Sequence, residues 1–525
     1  MDIDPRLRLL GAGGGGTVAP QLLRALDDTH VVIRTGPDMA GAYTTALAAF
    51  VTMAARVFGG VSVESPVTLA ANWWNSTGTT ELLAALHAVR PQPADAARRD
   101  IVVTFGDQVA PGDFGIGGDD YTVRLGRRPQ PLGPLPNHAL GVHAASCLIV
   151  SQLLLEVLKR QGFPGVPVEE SYVTNLVDYR LTAAPELRAE STSVSDARPL
   201  RLAVAGAGSV GSSTLALVAT ALAPKLTPNP VARPIEIIVI DADTIDSHRN
   251  PFRYPALLGG ETGWKAEFLA ARLTDLGLPA VPVPRTVAEW ARERDEPGFD
   301  GLIVSSVDTI GGRLDVTDVL ARSTLSVGVS GLALHAQREG FADGFACPFC
   351  DYVSADPPQT QAGVYAQATG LTVERVLALL QDGARLTVAD VDTAVAAGRL
   401  SAARRESLIA APLSDLVRQA YAEVEVRGVG GQASADDVVA VAAPQVSWFA
   451  GVVAAAEVVK QLTGLPLVDR RVDVDLSGLP PGLVRRAAAD RTGRCLCRSG
   501  TRIRWYRKLY RGHTSTDGGL PAGVS

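Results

Sequence analysis

The sequence predicts an α/β fold built from tandem copies of one strand-and-helix unit, the first inactive and the second active. Three observations carry that expectation. An apolar strand, Leu202 to Ala205, runs into Gly206-Ala207-Gly208-Ser209-Val210-Gly211 and then into an apolar helical stretch, Thr214 to Leu222. In the first half, a strand at His30 to Ile33 enters Gly36-Pro37-Asp38-Met39-Ala40-Gly41, with the outer glycines at the same spacing. Two apolar helices also end alike, at Glu156-Val157-Leu158-Lys159 and Glu457-Val458-Val459-Lys460, each followed by Gly-x-Pro and a strand.

The glycine loop is a phosphate cradle by its spacing. Gly206 permits the tight turn, Gly208 lets the backbone approach an anion, and Gly211 allows close helix packing. Amide N–H groups and the helix dipole then face the anion. Taken alone, the loop is a weak signal that also fits a generic dinucleotide site or a purely structural turn. The next strand, Ile235 to Ile240, ends in Asp241-Ala242-Asp243, where a carboxylate can accept from ribose hydroxyls. Beyond it come Asn250-Pro251-Phe252-Arg253 and a helix opening at Lys265. Two cations suit an enzyme that splits a triphosphate, because they offset charge on the leaving pyrophosphate; the plainer alternative is two solvated turns. A further strand, Gly301 to Val304, delivers Asp308 to the carboxyl end of the sheet. There it is either a magnesium ligand or the cap of the next helix.

In order and spacing these motifs resemble the nucleotide site of the ThiF, MoeB and HesA group, the bacterial relatives of ubiquitin-activating enzymes, over most of residues 198 to 500. The resemblance implies a Rossmann-like ThiF-type adenylation fold and ATP-dependent adenylation of a C-terminal carboxylate on a ubiquitin-like, sulfur-carrier or peptide substrate. By motif position it assigns ribose to Asp241, phosphate contacts to Asn250, Arg253 and Lys265, and magnesium to Asp308. In such enzymes an arginine near the start of one copy reaches into the partner copy's site, and Arg6 or Arg8 stands where that arginine would be.

Five cysteines are present, four of them in two close pairs, Cys347 with Cys350 and Cys495 with Cys497. Two such pairs suit a closed thiolate site for structural zinc, as the resemblance also implies, although the second pair has one intervening residue rather than two. The remaining Cys147 lies in an apolar helical stretch, Ala139 to Lys159, and is expected to pack in the core. That leaves the active half no spare thiol to carry an acyl group, so the chemistry is expected to stop at the acyl-adenylate.

At 525 residues the chain exceeds one core, and with 46% hydrophobic and 20% charged residues it is globular. Its net charge of −6 gives no reason to expect nucleic acid or an anionic membrane as partner. The start, Met1-Asp2-Ile3-Asp4-Pro5, lacks the pattern of a secretory signal, and a cytoplasmic location is expected. Polar residues within Ala139 to Lys159 favour a buried helix over a membrane span.

The expected organisation is a degenerate copy at 1–182, a linker at 183–199 and an active adenylation domain at 200–525. In the degenerate copy, Asp38 replaces the middle glycine and would repel a phosphate. The active domain carries a helical insertion at 357–431, expected as helices at Val373 to Leu380, Val388 to Ala397 and Ala402 to Val424, for docking a protein or peptide. It ends in a basic tail with a disordered terminus. Period-two alternation over Thr501 to Trp505 predicts a strand beside the cysteines, although interleaved basic and aromatic residues also occur in single-stranded nucleic-acid binders. Two rival functions share these signals: an NAD-dependent oxidoreductase, and a non-catalytic module that binds a precursor peptide.

Overall fold

The computed structural model describes residues 19–89, 99–134, 136–161, 171–183, 200–227, 235–246, 253–330, 332–339, 346–347, 349–350, 361–381, 384–417, 419–420, 443–465, 467–468, 471–476, 484–485 and 492–510. Two mixed sheets form the frame. The first half contributes β1 (Thr29–Thr35), α1 (Ala42–Val57), β2 (Gly60–Val63), α2 (Thr79–Val89), β3 (Arg99–Phe105), β4 (Phe114–Gly118), β5 (Thr122–Gly126), α3 (Leu140–Arg160) and β6 (Ser171–Asn175). The second contributes β7 (Leu200–Ala205), α4 (Ser209–Leu222), β8 (Ile235–Ile240), α5 (Lys265–Asp275), β9 (Ala280–Val283), β10 (Phe299–Ser305), α6 (Ile310–Asp318), β11 (Ala321–Ser330) and β12 (Ala333–Glu339). After β12 come α7 (Gln361–Thr369), α8 (Val373–Gln381), α9 (Val388–Ala396), α10 (Pro444–Thr463), β13 (Arg471–Asp475), β14 (Val484–Arg485) and α11 (Gly500–Tyr510).

The sheets repeat one topology. The first runs β2-β1-β3-β4-β5-β6 and the second β14-β13-β12-β11-β10-β7-β8-β9. Without β9 and β14, the second reads β8-β7-β10-β11-β12-β13, strand for strand the order of the first. The directions agree as well. In each sheet the first four strands pair in parallel and the last two antiparallel. Past one charged residue near its start, each of the covered strands β7, β8 and β10 reads as an apolar run rather than an alternating one, because both faces are packed there.

One apolar core unites the halves. α3 and α10 occupy the same topological place, between the fifth and sixth strands of each sheet, and lie against each other. α3 is long and apolar enough to cross a membrane, but 94% of its apolar window is buried inside the protein. Trp448 of α10 stacks on Trp74 of the first half, with ring centroids 5.5 Å apart. α10 also crosses α4 so closely that a Cβ on Gly451 would lie 2.8 Å from the backbone of Ser213. A buried ion pair closes the seam. Tyr179 donates its hydroxyl to Glu457 at 2.7 Å, and Lys460 pairs with Glu457 while donating to the carbonyls of Leu176 and Val177. Burial alone would push the Glu457 carboxyl up, but Lys460 and Arg338 more than offset this and hold it below the ordinary range.

Two expectations need correction. Thr501 to Trp505 is not a strand; it begins α11, because Ile503, Tyr506 and Tyr510 repeat at helical spacing. Tyr506 and Tyr510 donate their hydroxyls to the carbonyls of Arg322, Phe299 and Leu320, which fixes that face. Ala402 to Val424 is not one helix either. A 3₁₀ turn at Ala402–Arg404 and a short helix at Arg405–Leu408 end where Ala410 turns left-handed, at φ 63°, just before Pro412. Backbone hydrogen bonds from Ala410 to Leu386 and from Leu386 to Ala411 stabilise that turn and return Leu413 and Leu416 to the apolar cluster of the insertion. The expected helices at Val373 and Val388 are present, whereas residues 184–199, 421–442 and 511–525 lie outside the described residues.

Candidate active site and metal centre

β7, β8 and β10 run in parallel, and the loops that leave their carboxyl ends meet beside the helix N-terminus of α4. This is where open α/β sheets reverse strand order and hold ligands. The three loop glycines have different causes. Gly206 adopts φ 90°, a left-handed conformation that disfavours side chains. A Cβ on Gly211 would lie 1.9 Å from the Gly206 carbonyl oxygen. Gly208, by contrast, caps α4 in an ordinary extended conformation, and a Cβ there would meet only the Tyr254 hydroxyl, at 3.8 Å. Among the described residues nothing crowds a Cβ at 208, so that side of the loop is open to a close-approaching group.

Asp241 leaves β8 and points back into the loop. Its carboxylate accepts from the Ala207 N–H at 2.6 Å and the Asp243 N–H at 2.8 Å. Burial lifts this carboxyl above its ordinary range, against the Lys265 charge and the two amide hydrogen bonds. Asp243 is exposed and pairs with Lys265, whose Nζ lies 2.8 Å from the carboxylate. Lys265 opens α5 from a buried position, held by its own amide on the Asp243 carbonyl and by an antiparallel bridge between Thr244 and Trp264. Burial pulls the ammonium pKa down, but Tyr254, Asp243 and Asp241 outweigh that and keep it raised.

Arg253 is tied to the same place through its backbone, since Ser209 at the start of α4 donates its hydroxyl to the Arg253 carbonyl at 2.8 Å. Its Nε is buried without a hydrogen-bond partner among the described residues. A buried orphan guanidinium nitrogen is costly unless something fills its place, and an anion is the natural complement. Asp308 follows β10, is exposed, and carries no hydrogen bond or ion pair among the described residues. The α6 cap is Thr309, whose hydroxyl accepts from the Gly312 N–H, so capping does not account for Asp308.

Arg8 and Asn250 lie outside the described residues. The other sequence-chosen groups, Gly206, Gly208, Gly211, Asp241, Asp243, Arg253, Lys265 and Asp308, lie in these loops or on the first turns of α4 and α5. Two residues that sequence reasoning passed over join them. Tyr254 sets its hydroxyl over Gly208 and its ring 5.9 Å from the Lys265 Nζ. Ser306 donates to the Gly206 carbonyl at 2.8 Å and so ties β10 to the loop. Only adjacency to Arg253 and to the end of the β10 strand marked them in the sequence.

The four paired cysteines form a separate centre. All are buried, with Sγ–Sγ separations of 3.4 Å for Cys347 and Cys495, 3.5 Å for Cys350 and Cys497, 3.7 Å for Cys350 and Cys495, and 4.0 Å for Cys347 and Cys350. Their ligand atoms all fall within 4.8 Å of one another. Sulfurs at about 2.3 Å from one tetrahedral ion stand about 3.8 Å apart, so these four could hold a metal ion. Backbone turns from Cys350 to Cys347 and from Arg498 to Cys495 shape each pair, which is why one intervening residue suffices in the second. Within the cluster, hydrogen bonds from Cys347 and Cys497 pull the Cys495 thiol down, while those to Cys495 and Cys497 push the Cys347 thiol up.

No family model matches the chain. The curated uncharacterized protein y4jF of Sinorhizobium fredii (strain NBRC 101917 / NGR234) is 27% identical over 416 residues, spanning 76% of this chain and 74% of that protein. Among solved structures, E. coli MccB with MccA-N7isoASN is 12% identical, with a TM-score of 0.33, over 57% of this chain and 67% of its own. The crystal structure of E. coli MccB is 13% identical, with a TM-score of 0.32, over 57% of this chain and 64% of its own. The Microcin C7 biosynthetic enzyme MccB in complex with N-formylated MccA is 12% identical, with a TM-score of 0.32, over 70% of this chain and 92% of its own. At that distance these structures assign no role to any residue of this chain.

Proposed function

We propose that the chain activates a carboxylate by adenylation, spending ATP and releasing pyrophosphate. One observation carries the reading: a glycine loop open at Gly208, the orphaned Arg253 Nε, the Lys265 ammonium and the unengaged Asp308 carboxylate converge where β7, β8 and β10 end. The loop amides and α4 dipole suit phosphate oxygens, Arg253 and Lys265 suit charge on the departing pyrophosphate, and Asp308 suits magnesium. A carboxylate oxygen bonds to the α-phosphorus as the bond to pyrophosphate breaks, leaving an acyl-adenylate and no proton to remove. The substrate is the C-terminus of a ubiquitin-like protein, a sulfur carrier or a peptide.

Cys147 is buried in α3, where burial pushes its thiol pKa well up, and the other four cysteines are clustered. The acceptor nucleophile therefore belongs to another molecule. The cysteine centre suits structural zinc. The first half is the non-catalytic copy, and the site works in the cytoplasm. An NAD-dependent reading fits less well, since it leaves Arg253, Lys265 and Asp308 without a role.

ATP–pyrophosphate exchange tests the proposal, with small ubiquitin-like proteins and peptides as substrates. Exchange that requires a free C-terminal carboxylate and disappears in Asp308→Ala supports it. Tight NADH binding without ATP binding would instead favour the oxidoreductase.

A further inference from the structure

The turn that follows β2 in the first half, Thr68 to Gly78, lies against the second-half segment that follows Arg253. Its two indoles are aimed at that backbone. Trp73 Nε1 donates to the Ala256 carbonyl at 2.9 Å and Trp74 Nε1 to the Pro255 carbonyl at 2.9 Å. Arg56 of α1 donates to the Leu257 carbonyl and, at 3.4 Å, to the Tyr254 carbonyl. Four consecutive carbonyls, 254 to 257, thus accept donors from the other half of the molecule. The contact is returned by α5, where Arg272 donates Nε to the Trp73 carbonyl at 2.7 Å and Nη2 to the Asn72 carbonyl at 3.0 Å.

The turn is stiff enough to position what it holds. Asn72 accepts the amides of Trp74 and Ser76 and donates to the carbonyls of Ala70 and Ser76, and Trp74 is fixed by its stack on Trp448. What it holds is the main chain directly after Arg253 and the helix that begins at Lys265. Side chains placed by a locked neighbouring layer keep their geometry when charge must be met, which is what a phosphate site needs.

We infer that Trp73, Trp74 and Arg56 are positioning residues of the nucleotide site, through which the first half sets affinity for the triphosphate and not for the nucleoside. This rests on the adenylation reading for the identity of the ligand. The indole N–H groups touch only carbonyls, so their effect passes through Arg253, Tyr254 and Lys265.

The full chain with Trp73→Phe, Trp74→Phe, both together, and Arg272→Gln as a variant that keeps both indoles, is titrated with ATP and with adenosine by calorimetry. Arg253→Ala serves as the benchmark. With at most about fivefold transmitted per hydrogen bond, the double variant should bind ATP several-fold and up to about 25-fold more weakly, while adenosine affinity stays within about twofold. Arg272→Gln should move in the same direction. Equal weakening for ATP and adenosine, or no change in a protein that binds ATP, would overturn the positioning role and leave the adenylation reading intact. A wild-type protein that does not bind ATP would overturn both.

Discussion

The two halves share a strand order and diverge at the loops. Where the second half has Gly208, the first has Asp38, whose carboxylate folds into the space that a phosphate would need. A Cβ on Gly36 would lie 2.7 Å from Asp38 Oδ1 and one on Gly106 2.8 Å from Oδ2, and that Oδ1 is buried without a partner. The second half bridges Thr244 to Trp264 and begins α5 with Lys265; the first bridges Thr68 to Gly78 and begins α2 with Thr79. The ion pair of Lys265 with Asp243 is matched by a hydrogen bond from the Val67 amide to the Thr79 hydroxyl. The framework and the anion site are thus separable: the common core requires the first to persist in both halves, and nothing requires the second.

The largest test of this contrast concerns the metal. A metal ion held by the four cysteines should leave in Cys350→Ser and expose residues 492–510 to protease, such an ion contributing on the order of 10 kcal/mol by analogy with small zinc domains. The first half should stay protected in the same digest, and a variant that keeps both metal and resistance would remove the structural role. Next come the matched helix ends. Lys460→Met leaves Glu457 buried beside too little positive charge and should cost about 3–5 kcal/mol in urea unfolding. Lys159→Met, at an exposed position, should stay within about 0.5 kcal/mol.

Lys265→Ala should slow pyrophosphate exchange roughly 10²- to 10³-fold, whereas Thr79→Ala should leave the initial rate within about twofold. Equal sensitivity of both would end the division into catalytic and non-catalytic halves. Acid probes the seam. His143 is buried, its Nδ1 accepts from Trp448 Nε1 at 3.3 Å, and its Nε2 lies 3.2 Å from the Thr45 hydroxyl. Burial lowers its pKa to about 3, so below the unfolded value near 6.5 the unfolded chain gains a proton that the folded one refuses. Stability should therefore be full above about pH 6.5 and fall by about 2 kcal/mol at pH 5. His143→Gln should flatten that slope in urea midpoints. The smallest expected effect is Asp38→Gly, which should create no second ATP site in equilibrium binding, because Thr79 and Val67 remain where charge is needed.

Much of this was legible where physics is local. The strand Ile235–Ile240 and the helix start at Lys265 follow from a β-branched run interrupted only by Glu236 and from the turn before it. Other strands needed only their ends extended, as with Phe299–Ser305 for the expected Gly301 to Val304. The convergence of four cysteines was readable from two close pairs, since the pairing chemistry outweighs one residue of spacing. What was not legible depends on partners distant in the chain. Asp241 turns its oxygens to Ala207 and Asp243 amides, which its position after a strand does not dictate. α11 was misjudged because five residues cannot distinguish a period of two from 3.6 when the deciding contacts are those of Tyr506 and Tyr510. The tryptophan turn gave no signal at all, because its acceptors lie more than 180 residues away.

The helices of the insertion pack around an apolar cluster of their own, separate from the core that unites the halves. The chain entering that region is anchored by Cys347 and Cys350, and the chain leaving it by α10 in the common core. A segment pinned at both ends can change length cheaply, since closure entropy rises by only about 0.6 kcal/mol for each doubling. This architecture therefore leaves room for a longer, shorter or exchanged insertion, grafted without moving the loops that gather at the sheet's carboxyl end.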